Sequence, residues 1–374
     1  WPELRGSVSS SVSSSSCANN DTNGNGIYCR FFLGVGDGAC ANIGSKCTTP
    51  SRIAVTVGTS AAARICLPLP ITSKAPNASA TPNYKEEDKS NDNTIIPPPG
   101  LFCYRIDKSH VLVGGALTDG GSIVEWARDF LSLTSDESFA RCMEEVSHLY
   151  SKEQEEAEAD IRNGKTQSSI LPMITVVPFL SGERSTGYRD GATGCVMGLT
   201  RNTTPAHFVK SCLEGVILRV NAIICLLREA AKTTMNDASL PCIVASGTAL
   251  ERNALWRRML CDCSGLDVVM DGDVSDGTSR GAARLAAAAV IGSQKPASNI
   301  NAVISENMSM SEISWINEKL TVSECLAPSK GGEAKGPITA EGVDHDKLIT
   351  TSVKWSKATA SQDSFIHALS PLWR

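Results

Sequence analysis

Between Thr204 and Lys232 the chain keeps an unbroken helical period. Phe208, Cys212, Val216, Val220, Ile223 and Leu227 recur at three- and four-residue steps, which predicts one long helix with a continuous apolar face. Thr204-Pro205 is a suitable start, a capping hydroxyl followed by proline at the first helical position. A face of that length has to be covered, and the flanking segments supply the cover. Ile53–Val57, Met173–Phe179, Cys242–Ala245 and Asp267–Met270 read as strands, and Glu251–Asp262 and Ser279–Ile291 as helices. The alternation predicts an α/β fold. In such sheets ligands gather beyond the C-terminal ends of strands. That rule singles out Gly58-Thr59-Ser60 and Ser246-Gly247-Thr248.

The chain's 374 residues, 41% of them hydrophobic, can build a sizeable core. A net charge of −5 with no basic stripe argues against a nucleic-acid surface. No apolar run reaches the length of a membrane span, and the expected location is cytoplasmic. The 14 cysteines are scattered, mostly within apolar runs, as buried free thiols are. Cys261-Asp-Cys263 is the one close pair, and without a second pair or a histidine cluster it does not read as a zinc site. Residues 7–26, rich in Ser, Asn and Gly, and the polar stretch 73–99 read as flexible inserts. Residues 293–374 read as a flexible tail with short helices near Met310–Leu320 and Asp363–Leu369.

Asp37 sits in the glycine-rich turn Gly34-Val-Gly-Asp37-Gly38-Ala, ahead of the strand that ends in Gly58-Thr59-Ser60. A carboxylate near a turn rich in bare amides is what phosphoryl transfer to a hydroxyl requires: a base for the acceptor and donors for the phosphates. Asp-Gly is also a common turn dipeptide. Gly114-Gly-Ala-Leu-Thr-Asp-Gly-Gly121 reads as a glycine-rich loop feeding an amphipathic helix that carries Glu125 and Trp126. Pro178–Ser185 reads as a turn holding Glu183 and Arg184. Ala245–Asn253 reads as strand, turn and helix, with donors at the helix start.

In this order the segments resemble the FGGY carbohydrate kinases. The resemblance runs through Gly36-Asp37-Gly38, Val57-Gly58-Thr59-Ser60, Gly114-Gly-Ala with Gly120-Gly121 and Trp126, and Phe179-Leu-Ser-Gly-Glu-Arg-Ser185. It continues through Gly194–Leu199 with His207 and Glu214, Ser246-Gly247, and Thr278-Ser-Arg280-Gly-Ala-Ala283. Trp1-Pro-Glu-Leu, Gly100–Asp107 and Gly182-Glu-Arg-Ser are similar to the gluconokinase-type branch. The resemblance implies an α/β, actin-like ATPase (ribonuclease H-like) fold. It implies ATP-dependent phosphorylation of a sugar or sugar-acid hydroxyl, with ATP and Mg²⁺. Asp37 would be the general base, and Asp37 and Gly38 would meet the acceptor. Gly58, Thr59, Gly121, Glu125, Gly247, Thr248 and Arg252 would meet the nucleotide. Trp126, Glu183, Arg184, His207, Glu214 and Arg280 read as structural. The expected partners are the sugar or sugar acid and, as an open option, a second copy of the chain.

Two departures stand against the family pattern. The Asp-x-Gly-Thr phosphate motif of its N-terminal domain is not found, so residues 1–50 read as the end of that domain and 51–292 as the C-terminal domain. Thr248 stands where many members have a second glycine, and its β-branched side chain projects toward the nucleotide. A non-catalytic nucleotide-binding or interaction module therefore stands as the alternative to a kinase. The identity of the sugar stays open: gluconate, a pentulose or a heptulose.

Overall fold

The computed structural model describes residues 34–69, 97–107, 110–162, 174–232, 241–271, 277–292 and 345–373. The insert expected at 7–26, all but the last three residues of the insert expected at 73–99, and the helix expected at Met310–Leu320 lie outside them. A mixed six-stranded sheet organises the fold. Its strands are β1 (Arg52–Val57), β2 (Ala61–Pro68), β3 (Phe102–Arg105), β4 (His110–Leu117), β7 (Cys242–Ser246) and β8 (Val268–Met270). The order is β3-β4-β2-β1-β7-β8. β1 to β4 are joined antiparallel, and β1, β7 and β8 run parallel. Two short strands, β5 (Thr175–Val177) and β6 (Cys195–Met197), form a separate pair.

Register divides the sheet cleanly into two faces. Ile53 pairs with Ile65 and Ile243, and Ile65 with Val113, so these side chains share one face. The long helix α4 (Pro205–Lys232) covers it, burying Leu213, Val216, Ile217, Val220 and Ile224 against Val55, Ile65 and Val113. Fully burying a side chain of this size is worth about 1.5–3 kcal/mol, so the apolar stripe read from sequence holds the fold's main core. Thr204 and His207 cap the helix reciprocally. The His207 amide donates to Thr204 Oγ1 (3.4 Å) and the Thr204 amide to His207 Nδ1 (3.2 Å). His207 is structural here.

On the other face Ala54, Arg64, Gly114 and Phe102 lie in one row. Two helices cover this face, α1 (Asp37–Gly44) and α7 (Gly277–Gly292). Ile43 of α1 and Leu285 of α7 pack with Cys66 and Leu112. The two helices touch backbone to backbone. A Cβ on Gly44 would overlap the Gly277 carbonyl, and one on Gly281 would overlap the Cys40 carbonyl. Arg284 donates to the Ile43 and Gly44 carbonyls, both at 2.8 Å, and Arg280 donates to Gly44 O while pairing with Asp271. Two cations thus satisfy the open carbonyls at the C-terminal end of α1. Arg280 is a structural residue, and Ile43 ties α1 to the sheet through Cys66 and Leu112. Gly281→Ala is expected to lower stability by about 1–3 kcal/mol, read as an earlier urea midpoint with an unchanged slope.

Three differences from the sequence reading have physical causes. Gly114 and Gly115 are not in a loop; they lie inside β4, which ends at Leu117. Their missing side chains admit neighbours instead: the Phe102 ring packs over Gly114, and Ile223 of α4 packs onto Gly115. The helix expected over Glu251–Asp262 is broken in two, α5 (Thr248–Arg252) and α6 (Ala254–Ser264). Asn253 is extended between them and its side chain accepts from the Trp256 amide at 3.0 Å. Of the tail expected over 293–374, residues 293–344 lie outside the described residues, while 345–373 are helical and are packed from Trp355 on. The helix α8 (His345–Leu369) buries Trp355, Ala358 and Ile366, and Gln362 donates to Val176 O at 2.8 Å. The remaining helices are α2 (Ser122–Phe130) and α3 (Asp136–Arg162), the latter unforeseen from sequence.

Candidate functional site

Three turns meet at the C-terminal ends of β1 and β7. The Gly58-Thr59-Ser60 turn closes on itself through Gly58 N–H to Ser60 O (2.9 Å). It then receives the start of α2: Gly120 N–H donates to Thr59 O (2.8 Å), Gly121 N–H to Gly58 O (2.6 Å) and Ser122 N–H to Thr59 O (3.2 Å). The third turn, Gly247-Thr248, opens α5. Gly247 has φ 93° and ψ 147°, a conformation close to glycine-only, and a Cβ there would overlap the Val57 carbonyl. A Cβ on Gly121 would lie 2.7 Å from Gly58 O and 3.3 Å from the Ala249 side chain. Bare backbone is therefore required at Gly121 and Gly247. Behind them Thr56 and Ser246 share a hydrogen bond of 2.9 Å between the two parallel strands.

Of the residues expected to meet a nucleotide, the structure gathers Gly58, Thr59, Gly121 and Gly247 here, with Thr248 the exposed first residue of α5. Glu125 is exposed in the first turn of α2, and Arg252 is exposed at the end of α5. The arrangement brings a strand-end turn and two helix starts to one place; the amides of Gly58, Gly120, Gly121 and Ser122 are taken up within it, which leaves the start of α5 to meet an anion. Gly247→Ala is expected to cost roughly 1–3 kcal/mol of stability from backbone strain and to weaken nucleotide binding. Denaturant unfolding and a nucleotide titration check the two effects.

Asp37 and Gly38 form a second group. Asp37 is exposed in the first turn of α1, where a negative charge is favoured, and its Oδ1 accepts from the Gly38 amide at 2.7 Å. Gly38 is covered by two side chains that the sequence reading passed over. A Cβ on Gly38 would overlap the Tyr104 hydroxyl and lie 3.3 Å from Arg64 Nε. Burial holds the Arg64 guanidinium below its ordinary range, opposed by Tyr104 and Asp37 and reinforced by Arg184. Burial likewise pushes the Tyr104 phenol up, while Arg64 pulls it down. The available signal was Arg64 itself, the one charge in the otherwise apolar run Ala61–Pro68.

The residues read as structural are placed as such, with one exception. Glu183 is 2% exposed and braced by Arg189 (2.6 Å) and Arg219 (3.2 Å). Glu214 is paired with Lys210 at 2.9 Å, and Trp126 stacks on Phe130. Arg184 is different: it is exposed and close enough to Arg64 to oppose its charge. A larger cleft of about 550 Å³ opens beside Trp126, Phe130, Leu199 and Phe208. Its lining brings no carboxylate and no basic side chain.

Comparison with known proteins gives the family and the fold. The chain is 27% identical over 240 residues to a gluconokinase of Bacillus licheniformis, covering 64% of this chain and 39% of that protein. It is 25% identical over 265 residues to a glycerol kinase of Nocardia farcinica, covering 68% of this chain and 43% of that one. Gluconate kinase from Lactobacillus acidophilus superposes with a TM-score of 0.54 at 20% identity, over 89% of this chain and 50% of that one. Plasmodium falciparum glycerol kinase with ADP superposes with a TM-score of 0.50 at 17% identity, over 87% and 50%. These likenesses establish the actin-like ATPase fold. The chain spans about half the length of the solved structures and less of the curated relatives. The C-terminal domain model of the FGGY family of carbohydrate kinases matches residues 53–290, well over half of the chain. The chain belongs to the FGGY family of carbohydrate kinases.

Proposed function

We propose that this chain carries the nucleotide-binding side and the general base of an ATP-dependent kinase acting on a hydroxyl of a sugar or sugar acid. The observation that carries the reading is the meeting of the Gly58-Thr59, Gly120-Gly121 and Gly247-Thr248 turns, interlocked by backbone hydrogen bonds. Thr59 and Gly247 hold the phosphates through amides, and Gly58 and Gly121, whose own amides are taken up within the turns, let the phosphates approach the backbone; Glu125, Thr248 and Arg252 flank them. Asp37 takes the acceptor's hydroxyl proton, with Gly38 leaving room beside it. Among the described residues no three His, Cys, Asp or Glu side chains converge as metal ligands. Mg²⁺ would come with the nucleotide and offset the charge of its oxygens. Catalysis of this kind is positioning plus electrostatics, and it needs both walls of a cleft.

No helix among the described residues is long and apolar enough to cross a membrane, in keeping with a reaction on a dissolved substrate. The test is a coupled ADP-release screen over sugars and sugar acids with the whole protein. It is run beside a nucleotide titration of the 374-residue chain. Acceptor-dependent ADP release supports the kinase. Nucleotide binding without any acceptor-dependent release replaces it with a binding module.

A further inference from the structure

Beside Asp37 the fold leaves two cations and a phenol that base catalysis does not use. Arg64 is in register with Ala54 and Gly114, on the face away from α4. Gly114 has no side chain, and the Phe102 ring packs over it. Phe102 in turn stacks on Tyr104, with ring centroids 5.8 Å apart. Arg64 and Tyr104 together close over Gly38, the residue after Asp37, and only a glycine there lets both in. Arg184 comes from the loop that extends the same sheet edge. Its neighbour Ser185 donates from its amide to Ala116 O (2.9 Å), and Ser185 Oγ accepts from the Ala116 amide (3.0 Å).

Partnering separates these two arginines from five others among the described residues. Arg128, Arg189, Arg219, Arg258 and Arg280 each pair with a carboxylate. Among the described residues neither the Arg64 nor the Arg184 guanidinium makes a hydrogen bond or ion pair. A half-buried guanidinium without a partner bears a desolvation cost that an incoming anion offsets. Two arginines against one aspartate also leave the group net positive. Arg64 lies opposite Ala54, four residues before the Gly58 turn, or about 13 Å of strand. Yet it borders the residue after Asp37 directly. The anion it meets therefore belongs to the acceptor and not to the nucleotide.

We infer that Arg64, with Tyr104 and Arg184 beside it, binds a carboxylate of the acceptor, so that the substrate class of this site is a sugar acid in preference to a neutral sugar. A guanidinium fork matches a planar carboxylate with two parallel hydrogen bonds. A neutral polyol leaves that fork uncompensated, and sites built for a polar group discriminate strongly against analogues lacking it. This inference rests on the kinase reading for its acceptor, but it can be tested without turnover.

The test is calorimetric titration of the whole protein with D-gluconate, xylitol and inorganic phosphate as probes, each with and without ATP. Gluconate is expected to bind more tightly than xylitol. Arg64→Gln is expected to weaken gluconate by about 10–100-fold and to leave xylitol and ATP unchanged. Arg64→Lys keeps charge without the fork and is expected to recover part of the loss. Tyr104→Phe, a milder change, is expected to weaken gluconate selectively and covers the case in which an Arg64 variant does not fold. Equal loss for gluconate and xylitol would overturn the inference, as would absence of any preference for gluconate. Arg64-dependent phosphate binding that competes with ATP would reassign the residue to the transferred group. Gluconate binding through Arg64 without ADP release refutes phosphoryl transfer and leaves this inference standing. Phosphorylation of a neutral sugar with no response to gluconate does the reverse.

Discussion

Asp37→Asn is expected to lower kcat for acceptor phosphorylation by about 10²–10⁴-fold, the usual contribution of a positioned general base, while ATP affinity stays near normal. The substitution is chosen because it preserves shape. The amide oxygen of Asn can still accept from the Gly38 amide, as Asp37 Oδ1 does at 2.7 Å. Helix α1 remains clamped by α7 and by Arg280 and Arg284 at its other end. The nucleotide turns are built from other segments and lose nothing. A fall in turnover is then a loss of proton transfer. Steady-state kinetics of the whole protein beside a nucleotide titration separates the two quantities. Turnover retained within a few-fold would remove Asp37 from the role of base.

Arg219→Met is expected to destabilise the fold by about 3–5 kcal/mol, the usual result of removing one member of a buried charge pair. Arg219 lies mid-way along α4 with its side chain 3% exposed. It donates to Glu183 (3.2 Å), Thr186 (3.2 Å) and Asp363 (3.0 Å), and its guanidinium lies over the Phe179 ring at 5.6 Å. One side chain thus joins α4, the loop of Arg184 and helix α8. Methionine fills much of the volume but leaves Glu183, 1% exposed at its side chain, with Arg189 and the Gly187 amide as its remaining partners. Urea unfolding reads the loss. A change below about 1 kcal/mol, the range of an exposed ion pair, would show that the charges are far more hydrated than the structure has them.

Local sequence was enough where a residue's role depends on its neighbours in the chain. The apolar spacing from Phe208 to Leu227 specifies α4 because a helix face repeats every 3.6 residues, whatever it packs on. The strand ends at Gly58-Thr59 and Ser246-Gly247 were legible for the same reason. Gly114 and Gly115 misled, because a glycine pair suits a loop and also a strand into which another ring must fit. Phe102 and Ile223, the residues that decide between these, are distant in sequence. Asn253 splits the helix expected over Glu251–Asp262, although Asn is a favoured cap and the signal was present.

The sequence alone determined the family, the alternation of strand and helix, and the order in which Asp37 and the glycine turns occur, since these are properties of residues read in line. Only the tertiary structure decided what surrounds them. Sheet register puts Arg64 across from Gly114, and Arg64 and Tyr104 close over Gly38. The α1–α7 contact, made through two glycines, holds the helix that starts with Asp37. Contacts of this kind join residues tens to hundreds of positions apart, and they arise from backbone approach that no local pattern encodes. The aspartate was visible in the chain; the cationic wall beside it exists only once the sheet is assembled.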